Sequence, residues 1–350
     1  MKRQLESQGG LGHSMMLTSN LVVSLGIILV TSGGSWDITN HILNKPETFF
    51  APPHLVLYTG VGIALCGFLV LLLSWLKSQK PQNFGRGVKV CGTGIVLLLV
   101  AGPADFVWHS NFGLDGLLSP PHLVLICGMV LSSVGALMNS AKHIGGSKYA
   151  RILIVVSLVP VWFSITGLFY SFSLPFSETE HFNFNPDPLF AASFASVSYP
   201  FLISVILVSA TLLAQNRFGA ASVAGAAFFG MMTLTAIIPN GSIVHTIPFY
   251  LIGLAPIVVG DALVSKTKKI RLAGGIFGSV SFFMYYPLIT YTYNEVLWHR
   301  IIWPSLTSQI YFEMVPTMAP ILVMVGAASG VLGAIFSQKI WDGRAPLTVS

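Results

Sequence analysis

The stretch Trp36-Asp37-Ile38-Thr39-Asn40-His41, followed by Pro52-Pro53-His54-Leu55-Val56-Leu57, decides how the chain is read. It returns 68 positions later as Asp105-Phe106-Val107-Trp108-His109, then Pro120-Pro121-His122-Leu123-Val124-Leu125. Each copy has the pattern Asp-x3-His-x12-His, with two prolines before the last histidine. On a helix, residues four apart share a face, with Cβ atoms about 5–6 Å apart. Asp37 is therefore expected beside His41, and Asp105 beside His109. The prolines suit a first helical turn, where no N–H is needed. His54 and His122 thus each open a helix at the depth where the preceding one ended. One carboxylate and two imidazoles converge in each copy. The spacing predicts metal sites at Asp37, His41 and His54 and at Asp105, His109 and His122.

Both copies are set in apolar sequence. The chain has 350 residues, of which 53% are hydrophobic and 9% charged, and its mean hydropathy is +0.76. Soluble domains carry about 25% charged residues. The prediction is an all-α polytopic membrane helix bundle, a single integral membrane domain over residues 1–350. Apolar runs of bilayer-crossing length, about 20 residues, are read at 17–36, 54–77, 89–109, 122–142, 152–172, 194–215, 218–238, 246–265, 272–292 and 316–337. These ten spans make five hairpins with outward-facing loops and put both termini inside.

The charge of +6 follows that topology. Basic clusters at Lys77 to Lys89, Lys142 to Arg151 and Lys266 to Arg271 fall at every second connection, the positive-inside pattern. Of the 18 Lys and Arg residues, only Lys45 and Arg300 fall on the outer side, where seven of the nine histidines lie. The metal sites are expected near the outer face, and a nucleic-acid partner is excluded. Lys2 and Arg3 ahead of the apolar run imitate a signal peptide, but no small-x-small cleavage site follows, so an uncleaved first span is expected. Cys66, Cys91 and Cys127 form no CxxC pair and are expected as buried small apolar residues.

A lone histidine at a helix end is ordinarily a cap or an interface anchor. Ionisable groups at membrane depth are costly, and three ligand-type residues repeating in register argue against that reading. Duplication of a purely structural hairpin would preserve Pro-Pro and the apolar run, yet it leaves Asp and His unexplained. Weaker candidates follow later in the chain: Glu295 and His299 repeat the carboxylate–histidine spacing, Glu313 follows, and His245 lies near Asn240. Two imidazoles and a carboxylate with open positions suit copper, iron or zinc. Imidazole ligation without thiolate leans towards copper.

With their four- and thirteen-residue spacings, Asp37, His41 and His54 resemble the metal motif in the C subunit of the copper membrane monooxygenases, the particulate methane and ammonia monooxygenases. In that family a later hairpin carries a similar set with Asn in place of Asp; here the second set keeps Asp105. The resemblance covers residues 17–142 and implies copper, oxidation of a small apolar substrate, and other membrane subunits of an oxidase complex. Nothing like the periplasmic copper-binding domain of a partner subunit is present here. The expected function is that of a copper-dependent monooxygenase subunit, an oxidoreductase. Two other readings stay open: a membrane protein for metal transport or delivery, and an assembly subunit with metal-stapled hairpins.

Overall fold

The computed structural model describes residues 2–42, 45, 48–77, 82–113, 116–143, 148–172, 182, 184, 188–239, 241, 244, 247–281 and 315–341. Among them every regular element is a helix. In chain order these are α1 (Lys2–Ile42), α2 (Pro52–Lys77), α3 (Gln82–Phe112), α4 (Pro120–Ser140), α5 (Lys148–Ser171), α6 (Pro188–Leu213), α7 (Ala220–Ile237), α8 (Ile247–Ile252), α9 (Leu254–Ala262), α10 (Ile270–Ser279) and α11 (Val315–Trp341).

Eight of these helices contain a stretch long and apolar enough to cross a membrane, in α1 to α7 and in α11. They match the first seven expected spans and the tenth. The eighth expected run is helical but broken at Gly253, between α8 and α9, and ends in a π-helical turn, Leu263–Thr267. The ninth is described only as far as residue 281. Length and composition make the chain a multi-pass membrane protein.

The duplicated segment folds as two helical hairpins, α1 with α2 and α3 with α4, and each crosses on glycines. A Cβ on Gly26 would lie 2.4 Å from the backbone N of Ala64, and one on Gly94 2.2 Å from that of Ser132. Gly60 approaches Val30 and Gly26, as Gly128 approaches Leu98 and Gly94. A Cβ on Gly67 would lie 2.9 Å from Val23 N, and one on Gly135 2.3 Å from Cys91 N. Every one of these residues has its counterpart 68 positions on. Apolar association is weak between helices in lipid, so close backbone approach through small residues does the packing. Contacts of α1 with α4 and of α2 with α3 join the hairpins into a four-helix unit.

A second layer, α5 to α7 with α9 to α11, packs on the α1 and α4 side. Its centre is aromatic: Trp162 stacks on Phe228 at 4.4 Å, and Phe169 lies 4.3 Å from Tyr199. A buried polar chain links α1, α4 and α5. Asn20 Nδ2 donates to Ser140 Oγ at 2.7 Å, Ser140 and Ser157 hydroxyls meet at 2.6 Å, and Ser24 meets Ser157 at 2.8 Å. Asp261, fully buried, accepts from Thr211 Oγ1, the backbone N–H groups of Gly219 and Ser222, and Ser222 Oγ. A carboxylate at the amino end of α7 also complements the helix dipole. It is a structural anchor.

The cysteines depart from expectation. Cys91 is buried, but Cys66 and Cys127 are exposed on the bundle surface. A thiol is weakly polar and is as well accommodated against lipid as inside protein.

Candidate metal centre

The site sits where α1 and α3 end and α2 and α4 begin. Asp37 and His41 share a face of α1, and Asp105 and His109 share a face of α3, as their spacing requires. Pro52-Pro53 and Pro120-Pro121 start α2 and α4, so His54 and His122 fall in the first turns. Asp37 Oδ2 lies 3.5 Å from His41 Nε2, and Asp37 Oδ1 lies 3.2 Å from His54 Nε2. In the second copy, Asp105 Oδ1 lies 3.5 Å from His109 Nε2 and 3.3 Å from His122 Nε2. His109 Nε2 and His122 Nε2 are themselves 3.3 Å apart. All six side chains thus keep the intramotif partners expected of them.

Both motifs also come together. His41 rings lie 5.5 Å from His109 and 5.8 Å from His122, centroid to centroid. The cluster is shielded from solvent: Asp37, His41, His54, Asp105 and His122 are each at most 9% exposed. Glu295, His299, Glu313 and His245 lie outside the described residues.

The far nitrogens of the rings decide what the near ones offer. His54 Nδ1 donates to the carbonyl of Thr48 at 2.9 Å, and His109 Nδ1 donates to that of Gly113 at 2.9 Å. His122 Nδ1 lies 3.3 Å from the carbonyl of Gly116 and 2.9 Å from Ser119 Oγ. A carbonyl oxygen only accepts, so Nδ1 carries the proton and Nε2 of a neutral ring presents its lone pair. This is the outer arrangement that orients metal-binding histidines. Lone-pair nitrogens and carboxylate oxygens 3.2–3.5 Å apart repel unless a cation or proton lies between them. Ligands about 2.0–2.1 Å from a tetrahedral metal sit roughly 3.3–3.4 Å from one another. The donor set fits a metal in both type and spacing.

The turns that supply the Thr48 and Gly116 carbonyls are duplicated too. Ala51 N donates to Thr48 O at 3.0 Å, and Ser119 N donates to Gly116 O at 3.1 Å. Thr48, Gly116 and Ser119 carry no ligand-type signal in the sequence. The offset of 68 residues would have paired Thr48 with Gly116, but not revealed that their carbonyls face imidazoles.

A cavity of about 70 Å³ lies beside the cluster, with Asp37, His41 and His122 among its lining residues. Ile126, Met129, Phe163 and Met232 give it apolar walls. Several hydroxyls around it are engaged: Thr31, Thr39 and Thr166 donate to carbonyls of their own helices, and Ser35 pairs with Thr235. Gly167 also lines it, and a Cβ there would meet nothing within 4 Å.

Comparison with known proteins yields no match to a family model, a curated protein or a solved structure.

Proposed function

We propose that the chain is a copper-binding membrane protein, a subunit of a complex that oxidises a small apolar substrate, like the C subunit of the copper membrane monooxygenases. The observation that carries this reading is the set of Nε2 lone pairs, held in place by backbone carbonyls, facing two buried carboxylates. Asp37, His41 and His54 would hold one ion, and Asp105, His109 and His122 another. Bound copper would supply one-electron redox chemistry. The chain's own residues do the rest. Thr48, Gly113 and Gly116 carbonyls hold the imidazoles in one tautomer, the apolar helices exclude bulk water, and the cavity beside Asp37 and His41 offers room for a small uncharged molecule.

Transport is less well supported. An ion crossing the bilayer needs ligands along its path, and the described metal-type clusters all lie at one end of the four-helix unit. A purely structural staple is disfavoured because, with both triads occupied, three ligands leave each tetrahedral metal one open position. The positive-inside pattern supports ten spans, with the centre at the outer face and both termini inside; thiol labelling of single cysteines placed at each end reports that topology.

Metal analysis of protein extracted in mild detergent without chelator tests the central claim. With copper supplied in excess, wild type should carry two ions per chain, falling to one in His54→Ala and in His122→Ala. Folded samples without stoichiometric metal overturn it. Zinc in place of copper would retain the centre and remove the redox role.

A further inference from the structure

Among the described residues, His41 is the one that stands in two ligand sets. It groups with Asp37 and His54, and separately with His109 and His122, the donor atoms of each set lying within 4.8 Å of one another. The sharing is one-sided. Among the described residues, no set joins His109, the matching residue of the second copy, to Asp37 or His54. Asp105 stands beside the second group, its Oδ1 3.5 Å from His109 Nε2 and 3.3 Å from His122 Nε2, and is within reach of an ion held there.

A neutral imidazole has one ring lone pair and gives it to one ion at a time. We infer that the six residues form a single centre in which His41 is exchanged between two positions. This rests on the metal reading above. The first ion is held by Asp105, His109, His122 and His41, one carboxylate and three imidazoles. A second ion enters at Asp37 and His54 and draws His41 away, leaving three ligands on each. The second ion therefore binds more weakly than the first. Its arrival also strips a ligand from the first and opens a coordination position there, which is what separates a catalytic from a closed structural site. Metal loading is thus a switch that converts a closed single-ion centre into an open two-ion one.

The test is a copper(II) titration of the full-length protein in detergent, followed by calorimetry and electron paramagnetic resonance. The expected result is two unequal steps, with coupling to three nitrogens at one equivalent and to two per copper at two equivalents. Loss of an outer hydrogen-bond partner lowers metal affinity roughly 10–100-fold, so His41→Gln should weaken the first step by more than about tenfold. His54→Ala should leave the first step at wild-type affinity with three coupled nitrogens, and it serves where His41→Gln does not fold. Two equal steps with two nitrogens each, or a single remaining site with two nitrogens in His54→Ala, overturn the sharing and leave two independent triads. No copper binding by folded wild type overturns the metal reading itself.

Discussion

In the first hairpin, α1 runs through the interior of the bundle; in the second, the matching helix α3 lies at its edge. Their ligand-bearing faces are alike, and their opposite faces are not. Thr31 and Ser32 on α1 are at most 9% exposed, whereas their counterparts on α3, Leu99 and Val100, are 43% and 57% exposed. Ser35 of α1 meets Thr235 of α7, while its counterpart Pro103 is exposed. Polar side chains in a membrane bundle belong in the protein interior and apolar ones where lipid lies; there Thr31 and Ser32 bond carbonyls of their own helix, and Ser35 reaches α7. The duplication therefore held constant what faces the shared centre, the Asp and His residues and the glycine crossings. Each copy's back face then followed its surroundings.

The cavity belongs to this asymmetry. Its lining comes from α1, α4, α5, α7 and the turn before α4, with no residue from α2 or α3. The second helix layer covers α1 and α4, one helix of each hairpin, and leaves α2 and α3 without such a wall, so the space closes on the α1 and α4 side.

The strongest way to break the likeness between the hairpins is at the crossings. Gly94→Ala and Gly26→Ala each drive a methyl into backbone atoms that cannot move aside. Each should cost about 1–3 kcal/mol, the range for overpacking, seen as a lower melting temperature in detergent. Gly26→Ala should be the more damaging, because α1 also packs on α4, α5 and α7. Gly62→Ala on α2, whose Cβ would meet nothing within 4 Å, is the control and should melt as wild type or higher. Equal melting of all three would mean that the crossings do not hold the hairpins.

A subtler difference lies beside the last histidine of each motif. Ser119 sets a hydroxyl 2.9 Å from His122 Nδ1, where the first copy has Ala51. Ser119→Ala should lower copper affinity at the second set by about tenfold, the usual scale for an outer partner. Ala51→Ser should raise affinity at the first set and bring the two copies closer. Titration isotherms unchanged in both variants would show that the backbone carbonyls alone orient the rings. The smallest effect is expected at Gly167. Gly167 lines the cavity and leaves open space at its Cβ, so Gly167→Leu should reduce that space while leaving copper affinity within about twofold, and xenon, which enters dry apolar cavities, should no longer be detected there by NMR. Xenon binding that survives in Gly167→Leu would assign it to another space.

Much of this was legible in residue order. The membrane class follows from hydropathy, and the Asp–His pairs follow from four-residue spacing on a helix. The placement of His54 and His122 follows from Pro-Pro opening a helical turn. The glycine register was available at the same offset of 68 residues but is visible only once the crossing partners are known. The eighth expected span shows the limit of hydropathy. The apolar run read at 246–265, described from residue 247, folds as helix broken at Gly253, because composition measures length and not backbone continuity.

Local sequence therefore specified two like hairpins, each with one carboxylate and two imidazoles at a common level. Those features arise from helical periodicity and proline stereochemistry, which act over a few residues. The meeting of the two triads, the choice of His41 as the shared residue and the cavity on one side came only from tertiary packing. They depend on α1 meeting α4 and on α5 and α7 covering α1, through contacts between residues more than a hundred positions apart, as when Asn20 of α1 reaches Ser140 of α4 and Ser35 of α1 reaches Thr235 of α7.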